Sequence, residues 1–221
     1  MIITIDGPAG AGKSTVARGL ARRLGFTFLD TGAMYRAVTL AALRRNLAWN
    51  DAEALVELAG HVRIRFKEER VLLDGEDVTE AVRTYEISNL VRHAANNSGV
   101  RAKMVELQRA AGENKDVVTE GRDQGTVVFP QAEFKVFLYA TPEERARRRM
   151  LDLQKHGEHV TFEDVLNKQN ARDESDRSRE VGPLVAAADA VDFCTDGLTI
   201  DEVIDRLEET ARSRMALVRT S

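Results

Sequence analysis

The chain opens on a β-branched apolar run, Ile2-Ile3-Thr4-Ile5, too short for a helix and suited to a parallel strand buried on both faces. A glycine-rich turn follows. From Lys13 onward Val16, Ala17, Leu20, Ala21 and Leu24 recur at three- and four-residue spacing, which predicts a helix ended by Gly25 in the left-handed conformation. Phe26 to Leu29 predicts a second strand that stops at Asp30-Thr31-Gly32, and Met34 to Arg45 resumes helical spacing.

Between about Asn50 and Asn97 the pattern changes. A short helix is expected from Asp51; then Val62, Ile64 and Phe66 alternate with His61, Arg63, Arg65 and Lys67, and Val71 to Leu73 forms a second strand. This reads as a helix and a small antiparallel sheet inserted into an α/β core. Helical spacing returns over Val100 to Ala111, and buried strands are expected at Val117–Thr119 and Phe134–Ala140. Thr141-Pro142-Glu143-Glu144 combines an N-cap threonine, a first-position proline and a capping-box glutamate, so a helix should run to about Lys155. Thr199 to Glu202 repeats the box before a last helix striped by Val203, Ile204, Leu207, Ala211 and Met215. Residues 156–160 read as an exposed turn. The alternation predicts an α/β fold, a parallel sheet flanked by helices, with ligands at the carboxyl ends of its strands.

Composition narrows this further. With 221 residues, 43% of them hydrophobic and 31% charged, the chain should form one globular domain, neither disordered nor fibrous. No apolar stretch reaches the ~20 residues of a membrane span, so no membrane association is expected. Thirty-six acidic residues against thirty-two basic ones, with only 5% aromatics, argue against a nucleic-acid-binding surface. A lone cysteine, Cys194, and an opening without a basic and apolar leader point to a cytoplasmic protein. Cys194 is expected to be a small buried residue and Trp49 a packing residue. His156 and His159 lack further ligands at metal-binding spacing and read as solvated.

Gly7-Pro8-Ala9-Gly10-Ala11-Gly12-Lys13-Ser14 fits G-x-x-x-x-G-K-S/T, directly after a strand and opening a helix. Such a loop cradles phosphates with backbone N–H groups, reinforced by the helix dipole. Lys13 is then placed for the β- and γ-phosphates of ATP, and Ser14 for Mg²⁺. A phosphate loop does not by itself name a reaction. Asp30-Thr31-Gly32-Ala33-Met34-Tyr35-Arg36 follows the second strand, with Thr31 in a loop and Arg36 in the first helical turn, and Glu120-Gly121-Arg122-Asp123-Gln124-Gly125 follows the strand at 117–119. Two strand ends thus each supply an arginine, which makes a second anion site. Arg145, Arg148 and Arg149 fit either a solvated helix face paired with Glu143 and Glu144 or a functional one. The same choice holds for Arg172, Asp173, Asp176 and Arg179.

Taken in order, GPAGAGKST, FLDTGAMYR, GRDQGTVVFP, ERARRRML and RDESDRSR resemble the bacterial cytidylate kinases, over nearly the whole chain. The resemblance implies a nucleoside monophosphate kinase of the phosphate-loop kinase fold, one domain over 1–221, with a monophosphate-binding insertion at 50–97 and a lid at 145–180. It implies transfer of a phosphoryl group from Mg·ATP to CMP or dCMP, by a monomer acting in pyrimidine nucleotide metabolism. Gly7 to Thr15 would hold ATP, with Ser14 on Mg²⁺ partly through water. Asp30, Thr31, Arg36 and Arg122 would bind the acceptor, its phosphate held by the last three; Asp123 and Arg101 would face cytosine, and Arg172 and Asp176 the ribose. Lys13, Arg122, Arg148, Arg172 and Arg179 would serve catalysis.

The chain departs from the family pattern at Glu120 and Gln124, where an aspartate and a methionine or other apolar residue are usual. It departs again at Arg92, in place of a small hydroxyl residue, and at Ala186, in place of proline. An added donor at Arg92 or Gln124 near the base would bear on which pyrimidine fits, so a uridylate-preferring kinase stands as an alternative. A non-catalytic ATP-binding module is the other alternative, one that would need no acceptor arginines.

Overall fold

The structure is a computed structural model that describes residues 1–67, 70–155 and 157–218. It forms two compact units, Met1–Phe28 with Asn114–Ser221, and Leu29–Glu113.

The first unit holds β1 (Ile2–Asp6), α1 (Lys13–Leu24), the start of β2 (Thr27–Asp30), β6 (Val117–Gly121), β7 (Phe134–Tyr139), α6 (Pro142–Lys155), α7 (Phe162–Arg177), β8 (Val191–Cys194) and α8 (Ile200–Val218). Strand order is β2-β6-β1-β7-β8, and β1 runs parallel to both β6 and β7, as β7 does to β8. Chain order reverses around β1, so the segments following β1 and β6 emerge side by side at the carboxyl edge, where open α/β sheets bind ligands. Ile3 and Ile5 of β1, with Phe134, Val136 and Leu138 of β7, pack against Val16 and Leu20 of α1 and Val203, Ile204 and Leu207 of α8. Each such burial contributes about 1.5–3 kcal/mol. Gly19 permits the α1–α8 contact, since a Cβ there would stand 2.4 Å from Ile204 Cδ1.

The two predicted capping boxes differ. At α8 the box is complete: Thr199 N–H donates to Glu202 at 2.8 Å and Glu202 N–H to the Thr199 hydroxyl at 3.3 Å. At α6 only half forms, because Thr141 N–H turns to Asp196 while the Glu144 carboxylate takes Arg147 and Arg148. β8, four residues with a single alternation, carried too little signal to be foreseen. As the edge strand it turns Cys194 outward, so this thiol is exposed and not buried as expected. His156 lies outside the described residues, and His159 is exposed.

The second unit continues through α2 (Thr31–Arg44), α3 (Ala52–His61), β3 (Ile64–Lys67), β4 (Arg70–Leu73), β5 (Glu76–Asp77), α4 (Tyr85–Ala95) and α5 (Ser98–Gly112). Strands β3, β4 and β5 form an antiparallel sheet, with Ile64 opposite Leu73 and Phe66 opposite Val71. Asp74 and Gly75, both at positive φ, make the two-residue turn into β5. That Asp-Gly pair was the overlooked signal for β5. The Asp30 carboxylate accepts from Ala33 N–H at 2.8 Å and so starts α2 at Thr31, which stands in the helix and not in a preceding loop. Gly99 lets α5 approach α3, since a Cβ there would lie 2.4 Å from Val56 Cγ2. Trp49 is half-buried and stacks on His93 at 5.3 Å between ring centroids.

Candidate active site

The loop from β1 to α1 requires its glycines for separate reasons. Gly7 lies at φ 149°, and a Cβ on it would fall 1.9 Å from the Leu138 carbonyl oxygen of β7. Gly10 (φ 80°) rests against Arg145 Cβ and Gln169 Oε1, each 3.3 Å from where a Cβ would stand. Gly12, at φ 91°, begins α1 with no side chain to cap it, leaving first-turn N–H groups to an anion. Lys13 is 5% exposed and donates to the Pro8 carbonyl at 2.8 Å. Ala11 is buried, whereas Ser14 and Thr15 are exposed on the first turn of α1. The Ser14 hydroxyl donates to Glu120 at 2.9 Å, which joins the loop to the end of β6.

Cations crowd this end of the sheet. Burial, with the charges of Arg122 and Arg172 and against those of Glu120 and Asp6, lowers the Lys13 ammonium to about 7. Arg122 donates from Nε to Asp176 at 2.7 Å, and the other oxygen of Asp176 holds Arg179. Burial alone would raise the Asp176 carboxyl; Arg122 and Arg179 outweigh it and hold the group below its usual range. Burial disfavours the Arg122 charge, but Asp176 more than compensates and pushes this guanidinium up. Arg172 presents an exposed side chain and forms no ion pair within 4 Å among the described residues. The protein mass around it and then Arg122 lower it, yet a guanidinium so open to water stays charged.

Asp6, the last residue of β1, accepts Gln124 N–H at 2.9 Å and Gly125 N–H at 2.7 Å, and burial pushes it up to about 7. These bonds shape a π-helical turn at 124–128, closed by Phe129 N–H to the Gln124 carbonyl at 2.7 Å. Asp123, immediately before the turn, is buried. Gln124, expected as an added donor near the base, is turned into the protein. Its side chain is 1% exposed and its amide oxygen accepts the Thr119 hydroxyl at 2.9 Å, because the tight turn folds it back over Gly121.

The arginines of α6 divide. Arg145, whose spacing fits either a solvated or a functional face, is buried: it donates to the carbonyls of Ala140 (3.1 Å) and Ala9 (2.9 Å) and pairs with Asp173 at 2.7 Å. Arg148 is held by Glu144 at 2.9 Å and by the hydroxyl and carbonyl of Thr195 at 3.1 and 3.0 Å. Arg149 pairs with Asp152 on the surface. Arg145 was missed as a site residue; its buried hydrogen bonds leave no mark on charge spacing along the helix.

Asp30, Thr31, Arg36 and Arg101 belong to the second unit. Arg36 reaches Asp30 at 3.5 Å, and its buried Nε has no hydrogen-bond partner among the described residues. Arg101 is buried, donates to the Ala95 carbonyl at 3.2 Å and lies 5.7 Å from the centre of the Tyr35 ring. Arg92 is exposed on α4, and Ala186 is exposed beyond α7.

A parallel sheet flanked by helices, with a glycine loop and a buried lysine between β1 and α1, defines a phosphate-loop kinase fold. Crystal structures of an uncharacterized protein from Eubacterium ventriosum (TM-score 0.52, 13% identical, covering 96% of this chain and 98% of that one) and of a Thermus thermophilus protein (TM-score 0.51, 19% identical, 96% of each chain) share the fold. The chain belongs to the cytidylate kinase family, whose sequence profile matches residues 3–213. It is 49% identical over 212 residues to the cytidylate kinase of Rhodopirellula baltica, covering 96% of this chain and 93% of that one. To the cytidylate kinase of Caldanaerobacter subterraneus it is 50% identical over 210 residues, covering 95% and 94%.

Proposed function

We propose that the protein transfers the γ-phosphoryl group of Mg·ATP to CMP or dCMP, giving ADP and CDP or dCDP. The observation that carries this reading is the glycine loop, with Gly7, Gly10 and Gly12 at positive φ and Lys13 buried and bonded to the Pro8 carbonyl, where the charges of Arg122 and Arg172 act on that lysine. Cations drawn together at such a cost, with Asp176 restraining the next pair, fit a site built to surround phosphates. The family relatives named cytidylate kinase supply the acceptor.

Gly7 to Thr15 would hold the ATP phosphates, with Lys13 on the β- and γ-groups. A hydroxyl (Ser14) and a carboxylate (Glu120) 2.9 Å apart are the hard oxygen donors that suit Mg²⁺. Ser14 would hold the ion, partly through water, and the ion would supply charge neutralisation at the ATP phosphates. Thr31, Arg36 and Arg122 would take the acceptor phosphate; the unpartnered Arg36 Nε supports this. Asp30 would hold Arg36, Asp123 and Arg101 would face the base, and Arg172 and Asp176 the ribose. Arg148, Arg172 and Arg179 would close on the transferring group, for which Arg148 must leave Thr195. A monophosphate has its second pKa near ~6 and is largely a dianion at neutral pH, so the chemistry needs alignment and charge stabilisation, and no general base.

In this reading 50–97 is the monophosphate-binding insertion, 145–180 the lid, and the enzyme a cytoplasmic monomer of one functional domain. The burial of Gln124 supports CMP over UMP, leaving Arg92 as the departure that favours UMP. The test is the ratio of specificity constants for CMP, dCMP, UMP and AMP in a coupled ADP-release assay. CMP and dCMP should lead, and no turnover with any pyrimidine monophosphate would overturn the proposal.

A further inference from the structure

We infer that Arg145 and Asp173 form a positioning pair that sets the phosphate loop in register with α7, the helix bearing Arg172 and Asp176. The inference rests on the kinase reading above. Four observations lead to it. The Arg145 guanidinium donates to the carbonyl of Ala9, inside the loop, at 2.9 Å, and pairs with Asp173 of α7 at 2.7 Å through the same nitrogen. Its Nε is held by the carbonyl of Ala140 at the end of β7, at 3.1 Å, so the fork is anchored to the sheet. Both partners are 3% exposed along their side chains, out of reach of solvent screening. Finally, a Cβ on Gly10 would stand 3.3 Å from both Arg145 Cβ and Gln169 Oε1, and Gln169 of α7 donates to the Pro142 carbonyl of α6 at 3.1 Å.

The consequence is geometric. Asp173 follows Arg172 directly and precedes Asp176 by three residues, so it shares the helical turn that carries the arginine-holding carboxylate. A shift of α7 relative to the loop would move Arg172 and Asp176, and with Asp176 its partners Arg122 and Arg179, relative to Lys13. A planar guanidinium with several fixed donors can hold sheet, loop and helix together, which an ammonium on a flexible stem cannot. Neither Arg145 nor Asp173 need touch a nucleotide for this; they act through the residues they place.

The test uses Arg145→Lys, which keeps the charge and loses the fork, and Asp173→Asn, which keeps an oxygen acceptor and loses the charge. Kinetics are measured well below each variant's unfolding temperature, alongside calorimetric ATP affinity. A misplacement near 1 Å is worth up to ~10²-fold in rate, so kcat should fall at least about tenfold in both variants while ATP affinity changes less than kcat. Asp173→Asn should also cost little further in an Arg172→Ala background, because its effect runs through the position of Arg172. Folded variants with wild-type kcat, or full additivity with Arg172→Ala, would overturn the inference. A wild-type enzyme that turns over no monophosphate would instead overturn the kinase reading on which it depends.

Discussion

Replacing Gly7 by alanine tests how the phosphate loop is seated. The new Cβ would lie 1.9 Å from the Leu138 carbonyl oxygen and 3.0 Å from its carbon, both backbone atoms of a central strand. Ordinary contact begins near 3.4 Å, so loop and strand must separate by roughly 1.5 Å, and β7 is pinned by pairing on both sides. Overpacking of this kind costs about 1–3 kcal/mol. Holding an L-residue at φ 149° adds about 1–3 kcal/mol. A combined loss of about 4 kcal/mol lowers the thermal midpoint of a chain this size by roughly 8–16 °C. If strain is relieved by lifting the loop instead, stability is partly spared and the phosphates lose their cradle, with turnover falling by up to ~10²-fold. Thermal unfolding and ATP titration of the same sample separate the two routes. For the thermal midpoint Gly12→Ala is the control, because nothing among the described residues lies within 4 Å of its Cβ and only the backbone cost of an L-residue at φ 91°, about 1–2 kcal/mol, remains. An alanine at position 7 that matches wild type in both midpoint and ATP affinity would refute the close approach of loop to strand.

Lys13→Ala should remain folded and lose most turnover, at least about 10²-fold in kcat; near-normal rates in the ADP-release assay would misplace the phosphate site. Asp6 ionises near 3.8 unfolded and about 7 folded, so the native state holds the extra proton between those values. Its contribution to stability is therefore full at low pH, declines by up to ~1.4 kcal/mol per unit from about pH 4 to about pH 7, and is lost above. Thermal midpoints of wild type and Asp6→Asn across that window should show the decline in wild type alone, and parallel profiles would contradict it. Gln124→Met should cost about 1 kcal/mol by removing the Thr119 acceptor, yet leave the CMP-to-UMP preference within about twofold; a switched preference would return Gln124 to the base.

Much of the sheet was legible because buried parallel strands and amphipathic helices write different periods into the chain. Ile2 to Ile5, the Gly25 stop and the Thr199 box each read as they stand. What escaped were features decided by distant partners. Four residues of β8 become a strand only because Tyr139 and Leu138 of β7 lie beside them. Glu144, placed for a capping box, is drawn off by Arg147 and Arg148, while Asp196, more than fifty residues away in sequence, takes over the Thr141 N–H. Lys13 and Arg122 stand out in local sequence as candidates, whereas Arg145 and Arg148, three residues apart on one helix, differ in burial and partners for reasons no spacing records.

The slight acidic excess of the chain is consistent with a phosphate site once the acids are placed. Asp176 holds Arg122 and Arg179, Asp173 holds Arg145, and Glu120 accepts from Ser14. Asp176 and Asp173 offset part of the repulsion among cations and fix their guanidinium groups before any ligand arrives, which reduces the ordering cost at the moment of binding. Among the described residues Arg172 is left without such a partner. A phosphate entering between it and Lys13 would therefore meet a cation with no internal bond to break, while Arg122 and Arg179 must share theirs with Asp176. In the proposed site the acidic residues inside the cluster would favour a few phosphate oxygens, since a long polyanion would meet their charges as repulsion.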